Sequence, residues 1–248
     1  MSDNTSIVPL LPLNSHRQGV VFHEAGHAVS IYLNNQAKKL PPVFFEILLK
    51  DLNDTSEEDL ICYQASHDDC MARAEGGRLI KSLPFAVEGL VHISNQAPEE
   101  KDVGRASKMD EIATPLPLID GYMAAFDADV INLLVGPLSE AKYITDADDE
   151  VFSLKLINLD ALKNYGGSSD LVLIDEYLQS FSTNQQQRDD KSAELFALAF
   201  SFITDKSNWA AITRLANYIL DSHKNIISYE EIVLLLDCSS DLLPMTPN

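Results

Sequence analysis

The sequence predicts a mainly α fold with a small β-sheet, an α+β class, from three observations. One is a 3.6-residue apolar period in a helix over Gly19 to Leu33. Another is a run of amphipathic helices from Asp120 onward. The third is a pair of short apolar runs, Val43 to Lys50 and Leu60 to Ala65, separated by an acidic turn at residues 51–59. With 248 residues, 46% of them hydrophobic, the chain is long enough to bury one large core. Residues 1–14, carrying Pro9 and Pro12, read as a flexible leader, and residues 15–248 as a single domain.

The first helix has a start signal, because Ser15 and Gln18 have capping-box spacing and place its first turn near His16. Val21, Ala25, Ala28, Val29 and Tyr32 form its apolar stripe. His23 and His27 lie off that stripe, flanked by Val20 and Ile31. Beyond Pro41-Pro42, the two apolar runs predict a hairpin or edge pair beside this helix. Residues 68–82 then predict a helix and Ala86 to Ser94 a strand, so the sheet falls between residues about 43 and 94. Gln96 to Leu118 is polar, with Pro98, Pro115 and Pro117, and residues 95–118 read as a loop or insertion. Asp127 to Thr145 is the next helix, with a kink or fresh start expected at Gly136-Pro137. A turn at Tyr165 to Ser169 leads into a helix over Asp170 to Phe181. Helices at Asp189 to Thr204 and Asn208 to Ser222 follow, the latter capped by Ser207. A last short helix begins at Ser228, whose partner in a capping box is Glu231.

Charge excludes some function classes. With 38 acidic and 18 basic residues the formal charge is −20, so no basic patch is available for nucleic acid or for anionic lipid. Cys62, Cys70 and Cys238 are scattered and odd in number, which fits reduced thiols in a cytoplasmic protein. Residues 1–13 lack the basic start of a secretory signal, and no apolar run reaches the roughly 18 residues of a membrane span.

Chemistry concentrates in His23-Glu24-Ala25-Gly26-His27, an H-E-x-x-H pattern. Helical spacing of i and i+4 puts both imidazoles on one face, close enough to share a metal ion, with Glu24 able to reach a metal-bound water. Zn2+ suits two neutral imidazoles and one further protein ligand, which leaves a position for water. Glu24 then acts as general base and acid. Gly26 costs a helix interior about 1 kcal/mol relative to alanine, which makes sense where another backbone approaches closely. For the third ligand, His67, His92, His223 and many carboxylates qualify by type, and spacing does not choose among them. Asp170 is attractive because a helix start stabilises an anion. No oxyanion-stabilising residue is assigned, Tyr165, Tyr177 and His92 being candidates by type only.

His23 to Ala28, reading H-E-A-G-H-A, resembles the peptidase domain of FtsH, the membrane-bound AAA+ zinc protease. That family's third ligand is the aspartate of a Gly-Ala-Ser-Asn-Asp-Leu segment, and residues 166–171, Gly-Gly-Ser-Ser-Asp-Leu, are similar to it. The resemblance carries the ligand role to Asp170. Leu134 to Ala141, with Gly136 and Glu140, is similar to the family's Gly-Gly-Arg-x-x-Glu helix, with Pro137 in place of arginine. Trp209 to Leu220 followed by Ile227 to Ile232 matches the family's closing helical pair in style. The likeness spans roughly residues 15–237, strongest at the two short motifs. It departs most over residues 35–120, at Ser169, and in the lack of an ATP-binding G-x-x-x-x-G-K-[ST] motif or membrane span.

The resemblance implies a soluble zinc metalloendopeptidase of the H-E-x-x-H type, with His23, His27 and Asp170 as ligands and Glu24 as general base. Its substrate would be a flexible or unfolded polypeptide. A homo-oligomer and an ATPase partner in trans are compatible with it. The competing reading is a zinc-binding interaction or regulatory protein on the same scaffold, without proteolysis.

Overall fold

The computed structural model describes residues 13–49, 72–79 and 116–237. Two long helices form its centre. Helix α1 spans Leu13–Ala37 and helix α2 spans Leu116–Ala147. Every residue from Gly19 to Ile31 in α1 and from Ala128 to Ala141 in α2 is buried. These helices pack chiefly against each other. Helix α3 (Ser168–Phe181) and helix α4 (Gln185–Thr204) cover α2, helix α5 (Lys206–Asp221) covers α1, and helix α6 (Tyr229–Asp237) closes the end of the chain beside α5. A short 3-10 turn at Asp160–Asn164 precedes α3.

The sheet has three antiparallel strands in the order β2-β1-β3, with β1 at Phe45–Leu49, β2 at Ala72–Gly76 and β3 at Ile226–Ile227. Phe45 pairs with Gly76 and Ile47 with Ala74 on one side, while Ile47 pairs with Ile227 on the other. Phe45, Ile47, Leu49 and Ile227 are buried, so one face of this small sheet joins the core. Strand β2 lies against α1 and has no sheet partner on its far side among the described residues.

The mainly helical class with a small sheet, the first strand, and the helical second half agree with the sequence. Several local expectations do not. Residues 72–76, expected within a helix at 68–82, form β2. Alanine, arginine and glutamate favour helix, but pairing with β1 overrides that preference. Gly76 and Gly77, at φ 93° and 76°, also end any helix there. The helix expected to start near His16 starts at Leu13, so Ser15 lies inside it rather than at its cap. Helix α2 reaches back to Leu116, into the end of the segment read as a loop, and runs through Gly136-Pro137 without a fresh start. Its flanking hydrogen bonds and buried packing hold it through the one backbone bond that Pro137 removes.

The cap of α5 is Asp205, whose carboxylate accepts from the amides of Ser207 at 2.9 Å and Asn208 at 3.0 Å, rather than Ser207 itself. The Ser228–Glu231 capping box is present, with both reciprocal hydrogen bonds formed. Strand β3 was not anticipated: two β-branched residues are too short a run to stand out beside a helix cap. The strands expected at 60–65 and 86–94, most of the 95–118 loop, the 1–14 leader up to Pro12, and all three cysteines lie outside the described residues.

A candidate metal centre between three helices

His23, Glu24 and His27 project from the middle of α1, and all three are buried. Asp170 enters from the first turn of α3, where the helix dipole favours an anion, and is also buried. His23 Nε2 lies 3.3 Å from one carboxylate oxygen of Asp170, and His27 Nε2 lies 3.5 Å from the other. The three donor groups lie within 4.8 Å of one another and form a candidate zinc-binding site of the H-E-x-x-H arrangement. Tetrahedral zinc with bonds of about 2.0–2.1 Å separates its ligand atoms by about 3.3 Å, close to the 3.3 and 3.5 Å between each imidazole and Asp170.

The hydrogen bonds behind the imidazoles fix which nitrogens face the centre. His27 Nδ1 donates to the carbonyl of Asn132 at 2.8 Å. His23 Nδ1 donates to Glu140 Oε2 at 3.1 Å and to the carbonyl of Tyr165 at 3.2 Å. Only acceptors surround each Nδ1, so each carries a proton there and turns its Nε2 inward. Two such nitrogens and a carboxylate facing one another in a buried site need a proton or a cation between them. A divalent cation satisfies all three together, and His–carboxylate pairs of the His23–Glu140 kind orient metal-binding imidazoles. The residues present therefore fit zinc.

Burial by itself would lower the affinity of His23 for a proton, but its hydrogen bonds to Asp170 and Glu140 outweigh that and raise it well above the usual histidine value. Burial also disfavours the charged form of Asp170. The charge of His27 and the bonds from His23 and His27 more than reverse this and hold the carboxyl far below its usual range. Zinc uptake must displace the His23 proton, so it weakens as pH falls. Burial raises Glu24, partly countered by His23, His27 and the Ala74 amide. A carboxylate raised in this way is better matched to taking a proton near neutral pH.

Glycines make room for this arrangement. A Cβ at Gly136 would lie 2.2 Å from His27 Nε2, and one at Gly26 would lie 2.2 Å from Ser139 Oγ, so at each point a glycine of one helix leaves the space that a side chain of the other fills. Gly166 adopts φ +69°, and a Cβ there would crowd Glu140 and His23. Beside α1, Glu24 Oε2 accepts from the backbone amide of Ala74 in β2 at 2.5 Å. The exit from β2 is held by Asp129, whose two oxygens accept from the Leu79 amide and the Tyr177 hydroxyl, both at 2.9 Å.

The structure thus brings together His23, Glu24, His27 and Asp170. Of the other histidines weighed as ligands, His223 is exposed and outside this cluster, and His67 and His92 lie outside the described residues. The Tyr177 hydroxyl is engaged by Asp129. Sequence reasoning missed Asn132, Tyr165 and Ala74 as partners because they act through the backbone, which carries no residue signature. Glu140 had a signal, in its likeness to a family motif. Glu140→Gln is expected to weaken zinc binding by about 10–100-fold, measured by competition with a chromophoric chelator. No protein-family model matches the chain, and no curated protein matches it.

Proposed function

We propose that the chain is a zinc metalloendopeptidase of the H-E-x-x-H type, on an FtsH-peptidase-like scaffold, that hydrolyses peptide bonds in flexible or unfolded polypeptides. The observation that carries this reading is the convergence of His23 Nε2, His27 Nε2 and the Asp170 carboxylate beside a buried Glu24. When bound there, zinc supplies Lewis acidity, polarising a carbonyl and making water a nucleophile near neutral pH. The rest falls to the chain's own groups. His23, His27 and Asp170 hold the ion, and Glu140 and the Asn132 carbonyl keep the imidazoles aimed at it. Glu24 takes a proton from the attacking water and returns it to the leaving amine. Strand β2 has one edge without a partner strand among the described residues, along which an extended polypeptide backbone can pair.

The H-E-A-G-H-A and Gly-Gly-Ser-Ser-Asp-Leu segments support the FtsH-like scaffold, as does the closing pair α5 and α6. Among the described residues no helix is long and apolar enough to cross a membrane. In this reading the protein works in the cytoplasm on chains that are already unfolded, or on chains delivered by an ATPase partner in trans, and a homo-oligomer is compatible with the scaffold. Zinc-loaded protein is expected to degrade casein, and a chelator is expected to stop it. Intact casein after prolonged incubation with zinc-loaded protein would turn the assignment to a non-catalytic zinc-binding module.

A further inference from the structure

We infer that Glu24 and strand β2 form a latch released by substrate: the amide that holds Glu24 is the one an extended polypeptide needs in order to add as a strand. The inference rests on the peptidase reading above. The register assigns the direction of each backbone group. The Gly77 amide donates to the Phe44 carbonyl at 3.1 Å, which makes residues 44 and 77 a hydrogen-bonded pair. Antiparallel pairs alternate, so residues 73 and 75 turn their backbone groups toward β1, while 72, 74 and 76 turn theirs outward. The Ala74 amide therefore plays no part in the ladder with β1. It points off the edge of the sheet that has no partner strand among the described residues, and Glu24 Oε2 accepts from it at 2.5 Å.

An antiparallel strand joining this edge would use the outward amide and carbonyl of Ala74 together, as every such pairing does. Only one acceptor can take that amide well. Before substrate arrives, the carboxylate has it in a charge-assisted bond and is turned toward β2. When a substrate carbonyl takes the amide, Glu24 loses this partner and its carboxylate is free to turn toward the water it must reach. Backbone pairing is thereby coupled to release of the base, and departure of product restores the latch. The chemistry selects extended backbone rather than a particular side chain.

The test compares two inactive, equally charged, zinc-loaded variants, Glu24→Gln and Glu24→Ala. Glutamine keeps an oxygen that can accept from Ala74, and alanine does not. A neutral, fluorescein-labelled unstructured peptide, followed by anisotropy, is expected to bind Glu24→Ala about 5–30-fold more tightly. The gain should vanish when both are placed on Ala74→Pro, which removes only an outward-facing donor from an edge strand. Independently of the proline variant, the Ala74 amide should exchange slowly with solvent in Glu24→Gln, faster in Glu24→Ala, and slowly again in Glu24→Ala with peptide bound. Equal affinity in the two variants, or an Ala74 amide indifferent to peptide, would overturn the latch. Casein cleavage by wild-type protein alongside that result would leave the peptidase reading standing, whereas absence of both cleavage and peptide binding would remove the two together.

Discussion

Glu24→Gln is expected to retain zinc and fold while losing turnover on casein by about 10²–10⁴-fold, the usual contribution of a general base. Glutamine fills the same buried volume in α1 and can still accept from the Ala74 amide, so packing and the β2 contact survive. It cannot take a proton from water at neutral pH. His23, His27 and Asp170 are untouched, so zinc content by elemental analysis should match the wild type, and circular dichroism should be unchanged. Equal, chelator-insensitive cleavage by both proteins would identify a contaminating protease. Equal, chelator-sensitive cleavage would show that Glu24 is not the base.

Gly136→Ala is expected to cost about 3 kcal/mol, the upper part of the range for overpacking a buried site. A Cβ there would lie 2.2 Å from Nε2 and 2.3 Å from Cε1 of the His27 ring, and that ring is anchored behind by the Asn132 carbonyl. Either α1 and α2 separate or the ring turns, and a turned ring loses its zinc-facing nitrogen. Thermal unfolding should fall by about 6–12 °C at this chain length, with weaker zinc binding. Gly121, an exposed position of the same helix, is the control, because nothing lies within 4 Å of a Cβ there. Gly121→Ala should stabilise by up to about 1 kcal/mol through helix propensity alone. Similar destabilisation by both substitutions would mean that α2 is sensitive to any added side chain, and not that Gly136 is needed for His27.

The contrast between these two glycines shows where sequence reading works and where it stops. Local signals were sufficient for α1, the later helices and the Ser228 cap, because periodicity and capping chemistry act over a few residues. The pattern His23-x-x-x-His27 likewise declares itself, since i and i+4 share a face in any helix. Asp170 is different. Physical reading of the residues left it among several candidates, and only the likeness to a family segment singled it out. The fold then brings it from a distant part of the sequence to within 3.3 Å of His23. The failure at β2 has the opposite cause. Ala72 to Gly76 carries helix-forming residues, and its strand state depends on β1, so no local signal could reveal it. The Ala74 amide, the Asn132 carbonyl and the Tyr165 carbonyl were illegible for the same reason, being backbone groups positioned by tertiary packing.

The most direct test of the central claim is zinc binding by wild-type protein and by His23→Ala, His27→Ala and Asp170→Ala, measured at neutral pH by elemental analysis and chelator competition. The account predicts stoichiometric zinc in the wild type. It predicts loss of tight binding in each variant, because any two of the three groups make a poor site. Asp170→Ala decides most, since its link to the histidines exists only through the fold. Unchanged zinc content and affinity in Asp170→Ala would contradict the assignment of the centre.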